Sequence, residues 1–188
     1  MGHEDRMREY KGPMVWTDNL TKAKITRTIL AMSNTRDGGV IVVGMKEKSD
    51  KKFEPVGLSE SEASTFNHDD MATHVRDYAD PYVDFMVRRI DCDDRDFVLI
   101  QVKEFDEIPV ICGKDGVNLR KGAIYHRSRT KNESAEVFSQ SEMREIIEIA
   151  TDKAVRKFLS RAEGAGLLAR PVFQDHRAMF AKQMEDLP

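Results

Sequence analysis

Apolar residues at Leu20, Ala23, Ile25, Ile29, Leu30 and Met32 recur mostly at helical spacing. They predict a helix over 19–33, with Asp18 or Asn19 as its cap. The polar stretch Asn34-Thr35-Arg36-Asp37-Gly38-Gly39 predicts a turn, and the unbroken run Val40-Ile41-Val42-Val43-Gly44 a buried strand. Residues 46–52 read as a hairpin or loop and 53–58 as a short extended piece. Two short helices follow over 59–66 and 69–79, the second stopped by Asp80-Pro81. Alternation at Val83, Phe85 and Val87, a polar turn at 91–96 and the apolar run after Phe97 predict an antiparallel hairpin over 83–103. Short strands are expected at 108–112 and 123–127, either side of a turn at Gly113-Lys114-Asp115-Gly116. Residues 141–161 form an amphipathic pattern with Met143, Ile146, Ile147, Ala150, Ala154, Phe158 and Leu159 on its apolar side. Gly164 and Gly166 end that helix. The order of elements predicts an α+β fold: a single mixed β-sheet with flanking helices. The expected organisation is a core over 1–135, a helix over 136–165 that packs on the core or on a partner, and a tail over 166–188.

Composition narrows the function classes. The 188 residues are 40% hydrophobic and 34% charged. That excludes a disordered chain, and no apolar run approaches the ~20 residues of a membrane-spanning helix. The charged start MGHEDRMREYKG has no apolar stretch behind it, which predicts no secretory signal and a cytoplasmic protein with reduced thiols. Two cysteines, Cys92 and Cys112, are too few for a disulfide scaffold or a cysteine zinc cluster. Five dispersed histidines show no metal-ligand spacing. There is no phosphate-loop, dinucleotide-binding, nucleophile-elbow or zinc-protease motif.

Net charge is −3, yet its distribution is uneven. Arg120, Lys121, Arg127, Arg129 and Lys131 lie in a stretch, 118–131, that holds no carboxylate. Arg127 and Arg129, two residues apart on a strand, should share a face. Such a face suits either a nucleic-acid backbone or plain solvent.

Several pieces then occur in a telling order: Glu9-Tyr10-Lys11; Ala31-Met32-Ser33-Asn34-Thr35; Gly38-Gly39; Gly44-Met45-Lys46-Glu47; Val56-Gly57-Leu58; Ile108-Pro109-Val110; and Tyr125-His126-Arg127-Ser128. In this set the chain resembles the Schlafen AlbA-type domain family over about residues 4–149. The resemblance implies an AlbA-like core and nucleic-acid binding, to RNA or DNA, here by Lys11, Arg120, Lys121, Arg127, Arg129 and Lys131. It also implies that Glu4, Glu9 and Glu47 match the three acidic positions of the Schlafen ribonucleases, as metal ligands and catalytic groups with magnesium or manganese. Converging carboxylates can hold such an ion, which polarises a phosphodiester and activates water. Glu47 stands where the family has aspartate. The plainer readings stay open beside these. Glu4 and Glu9 also suit a solvated charged segment, and Asn34 and Thr35 also suit the shaping of a turn. The alternative functions are a non-enzymatic dimerisation or regulatory module of a DNA-binding transcriptional regulator, with a homodimer through the long helix and the tail, and ATP binding.

Overall fold

A computed structural model describes residues 5–48, 52–128 and 133–167. Its elements are β1 (Arg8–Lys11), α1 (Asn19–Ser33), β2 (Gly39–Val43), β3 (Met45–Glu47), β4 (Phe53–Pro55), α2 (Glu60–Ala63), α3 (His68–Arg76), β5 (Ala79–Asp80), β6 (Phe85–Asp91), β7 (Asp96–Val102), β8 (Ile111–Cys112), β9 (Tyr125–Arg127), β10 (Ser134–Glu136) and α4 (Gln140–Gly164). The fold is mixed α+β, built on a four-stranded sheet of order β1-β2-β7-β6. β1 runs parallel to β2, and the other pairs are antiparallel. Three two-stranded ribbons, β3-β4, β5-β8 and β9-β10, accompany the sheet. Residues 168–188, and with them most of the expected tail, lie outside the described residues.

α1 is the central element. Asp18 accepts a hydrogen bond from the Thr21 amide at 2.8 Å and so caps its first turn. Ten of its fifteen residues are buried, from Thr21 to Ser33, around most of its circumference. A helix apolar on more than one side belongs inside a fold. Accordingly α1 packs against β2 and β7 and also against β9 and β10. Ile25, Ile29, Leu30, Ile41 and Ile100 are all fully buried in the resulting core. Each such side chain contributes roughly 1.5–3 kcal/mol of burial.

The turn after α1 depends on Gly38. Its φ is +70°, and a Cβ there would sit 2.1 Å from the Val102 carbonyl oxygen. Only glycine fits such a conformation and such an approach. The expected hairpin over 83–103 is present as β6 and β7, in register from Phe85↔Val102 to Asp91↔Asp96. β1 carries no strand signal of its own in the sequence. Residues 8–11 precede Gly12-Pro13 and carry three charged side chains, yet β2 offers a free edge that they pair with. Tertiary pairing here overrides local propensity.

His74 on α3 lies edge-on to Trp16, with ring centroids 5.4 Å apart, and 5.1 Å from the ring of Tyr78. Burial, and then the charge of Lys22, hold its imidazole below its ordinary pKa. The folded protein therefore keeps it neutral where the unfolded chain would take up a proton. Stability should fall as pH drops below ~6.5, the ordinary histidine value. Melting temperatures measured between about pH 5 and 7.5 should show this slope, and His74→Leu should flatten it. An unchanged slope in that variant would show that His74 does not cause it.

The chain divides into two compact units, Met1–Ala150 and Thr151–Pro188. In the first, Ile146 and Ile149 of α4 are buried. In the second, described to Leu167, α4 continues to Gly164. Among the described residues no helix is long and apolar enough to cross a membrane.

Candidate nucleic-acid interface

The alternation of β1 decides the fate of its carboxylate. Register places Glu9 beside Ile41, and Ile41 beside Ile100, on the core face of the sheet. Glu9 is therefore 7% exposed. A buried carboxylate needs a counter-charge and donors. Arg127 on β9, fully buried, supplies both by pairing with one Glu9 oxygen, and the Lys11 ammonium pairs with the other. The same guanidinium donates to the Asp5 carbonyl at 2.7 Å and the Arg8 carbonyl at 3.4 Å.

Arg6 closes the network from outside. It donates to the Arg127 carbonyl at 2.9 Å, lies 3.0 Å from His126 Nε2 and pairs with Glu145 of α4 at 2.7 Å. Arginine has only donors, so His126 Nε2 is the acceptor. Asp5 and Arg8 pair at 2.6 Å just outside. Burial pushes the Asp5 carboxyl up, but the hydrogen bonds from Arg8 and the Met7 amide outweigh it, and the net shift is downward. One network thus ties an edge strand, a distant ribbon and α4 together.

This geometry corrects the expectation that Arg127 lies on an exposed cationic face. The pleat of β9 turns it inward, where Glu9 neutralises it. Lys11 is half-buried and committed to the same carboxylate. Arg120 stays exposed, paired with Glu136 on β10. The cluster looks free of acid along the chain, but strand pairing brings acid to it from elsewhere. Lys121 is exposed and forms no ion pair among the described residues. Arg129 and Lys131 lie outside the described residues.

The acidic trio is not assembled within what is described. Glu4 lies outside the described residues, and Glu47 is exposed at the end of the short strand β3. Among the described residues, no three histidines, cysteines or carboxylates gather as a metal site. Glu9, with an oxygen on each of two cations, does not fit the role of a divalent-metal ligand. Cys112 is buried, and that burial raises its thiol pKa, which disfavours the nucleophilic thiolate.

What the sequence pattern passed over is a surface groove of about 490 Å³. Arg27 from α1, Asn118 and Arg120 from the loop before β9, Tyr125, Ser134 and Phe138 line it, together with the carboxylates of Glu133 and Glu136. Tyr125 itself is buried, and its hydroxyl accepts from the Arg120 amide at 2.8 Å, which fixes that loop. Phe138 is 84% exposed. Arg27 sits between Thr26 and Thr28 within α1 and Phe138 follows Val137 in a short connection more than a hundred residues on, so no local signal joined them. The groove sets two guanidinium-bearing side chains near an open aromatic ring. That combination suits a phosphate with an adjacent flat ring.

Among solved structures, similarity extends to the DIP2311 protein from Corynebacterium diphtheriae, at 14% identity and a TM-score of 0.45, over 70% of this chain and 22% of that one. It extends also to the N-terminal domain of a RecG-related protein from Nitrosomonas europaea, at 17% identity and a TM-score of 0.46, over 64% of this chain and 80% of that one. The present chain thus spans about a fifth of the Corynebacterium protein. No curated protein matches the sequence. The family profile described as Schlafen, AlbA_2 matches residues 4–136. With the order of motifs and the mixed α+β core, that match makes this chain a member of the Schlafen AlbA_2 family.

Proposed function

We propose that this chain binds nucleic acid, RNA or DNA, by its backbone phosphates at the Arg27–Arg120–Phe138 groove. The observation that carries the reading is that groove, on a member of the family whose resemblance implies nucleic-acid binding. The Arg120–Glu136 pair is exposed on the arginine side. Surface pairs of this kind contribute only about 0–1 kcal/mol, so a phosphate can replace Glu136 at small cost. Phe138 offers its ring to an unstacked base, an interaction of about 1–3 kcal/mol. Lys121 adds charge from the neighbouring loop position. Sequence readout is weak, because backbone contacts carry little base information.

The measurement is fluorescence anisotropy with labelled single-stranded and duplex oligonucleotides over a salt series. Affinity should fall steeply with salt. Arg120→Ala with Lys121→Ala should lower the log–log slope by about 1.4–1.8 units, at roughly 0.7–0.9 per lost phosphate contact. Phe138→Ala should weaken single strands more than duplex. Binding with an unaltered slope in the double variant would remove the groove from the reading.

Hydrolysis is a separate matter. We read the chain as a binder that does not cleave, because Glu9 serves as the counter-ion of Arg127. Incubation of tRNA and DNA with magnesium or manganese should leave both intact. Cleavage that Glu47→Gln abolishes would reverse this, and that exposed substitution leaves the fold untouched.

A further inference from the structure

Arg27 of α1 is half-buried, and its guanidinium makes neither an ion pair nor a hydrogen bond among the described residues. Its Nε is covered by protein, so part of the cation is out of water as well. A second polar group is in the same position. Ser134 on β10 is 9% exposed, and its hydroxyl has no hydrogen-bond partner among the described residues. Buried donors and acceptors in folded proteins nearly always have a partner. A cation partly removed from water calls for an anion. Both residues line the groove that Arg120 and Phe138 also line. α1 and β10 pack against each other, so the two orphaned groups belong to one place.

The acids of the groove are as informative as its cations. Glu133, just before β10, is exposed and forms no ion pair among the described residues. Glu136, at the end of β10, is held by Arg120. A phosphate that takes Arg120 releases Glu136, which shares a strand face with Ser134 two residues away. The β10 side of the groove then presents two carboxylates and a hydroxyl. Arg27 and Arg120 are the cations that line it.

That division of charge selects one part of a strand. An internal nucleotide has a phosphate on each side of its sugar. With the first on the arginines, the second would meet the carboxylates, where like charge opposes it. A 3′-terminal nucleotide has no second phosphate. It offers one phosphate on its 5′ side, a base and a free 3′-hydroxyl, and a hydroxyl is a donor that a carboxylate accepts. The exposed ring of Phe138 suits the base. The volume, about 490 Å³, is that of a site for one small molecule.

We propose that the groove holds the 3′-terminal nucleotide of a single strand, with its phosphate on Arg27 and Arg120 and its free hydroxyl on the carboxylates of Glu133 and Glu136. The inference rests on the groove being the nucleic-acid site, and it adds which part of the strand enters.

The test is fluorescence anisotropy of the full chain with 5′-labelled single-stranded oligonucleotides of one sequence, ending in a 3′-hydroxyl or a 3′-phosphate. The 3′-phosphate adds a charge of about −2 beside the carboxylates and should weaken binding about tenfold or more. In the double variant Glu133→Gln with Glu136→Gln, that difference between the two ends should largely disappear. Arg27→Gln should weaken the 3′-hydroxyl strand about tenfold, the effect of losing one charged hydrogen-bonding group, with an unchanged circular dichroism spectrum. Equal affinity for both ends, or a preference for the 3′-phosphate, overturns the proposal. An undiminished difference in the double glutamine variant overturns it as well. If Arg27→Gln weakens binding while the two ends bind alike, the groove still holds nucleic acid and only the selection of an end is wrong. If neither strand binds, or Arg27→Gln binds as the parent does, the groove reading and this inference fall together.

Discussion

Arg127→Met should cost about 3–5 kcal/mol of stability, the usual loss when one partner of a buried ion pair is removed. For a chain of this size that is on the order of a 10 °C fall in melting temperature. The reason is that Glu9, 7% exposed, would keep its charge in the core without its main donor. The Asp5 and Arg8 carbonyls would lose a donor as well. Glu9→Gln keeps the shape and gives up the charge, and it should cost less than the arginine change but remain clearly destabilising. The double variant Glu9→Leu with Arg127→Leu is the informative one. It removes both charges, so it should regain a large part of the loss, because buried pairs replaced by apolar residues are often neutral or better. Denaturant unfolding of all four proteins measures these differences. If Arg127→Met unfolds at the same midpoint as the parent, the network described here does not hold the fold together. Nucleic-acid affinity of the still-folded Arg127→Met protein is a second readout. It should be unchanged, because Arg127 does not reach the surface.

Asn34→Ala should lose about 3 kcal/mol. The Asn34 amide group donates to the Val110 carbonyl at 2.8 Å and the Tyr125 carbonyl at 3.0 Å, and its oxygen accepts from the Val110 amide at 2.8 Å. All three bonds are buried, and they join the end of α1 to the chain before β8 and to β9. Alanine leaves an orphaned N–H, worth about 1–3 kcal/mol, and two under-satisfied carbonyls. Asn34→Asp is the sharper test. It has nearly the same shape but turns acceptors toward two carbonyl oxygens, so it should lose at least as much as alanine. A mild aspartate variant would mean that the side chain is not the clamp these distances describe.

The same residue shows how far the chain could be read in advance. Asn34 and Thr35 were legible as turn formers after a helix, and Thr35 does bond back to the Ala31 carbonyl at 2.8 Å. That Asn34 reaches across to residues 76 and 91 positions away was not legible, because its partners are backbone groups that any sequence supplies. The two helices after residue 58 and the β6–β7 hairpin were readable for a plain reason. Their signals are caps, turn residues and periodicity, all encoded within a few residues. β1 and β10 were not readable as strands. Both are short pieces of three or four residues, without a β-branched or alternating apolar pattern, that exist because an edge is waiting for them.

Residue identity settled the family, the central helix, the buried strand β2 and the glycine at position 38, since each rests on local spacing or on a backbone conformation only one residue type tolerates. Tertiary structure alone decided which charges are available. A run of cations without acids, read linearly, gives no sign that β9 turns Arg127 to Glu9 and that β10 brings Glu136 to Arg120. Charge acts through space over a few ångströms, whereas a sequence records order along a chain. The fold brings β1 to β9 and β10 to the loop before β9, and in doing so it spends part of the positive surface on its own stability and leaves the remainder at the groove.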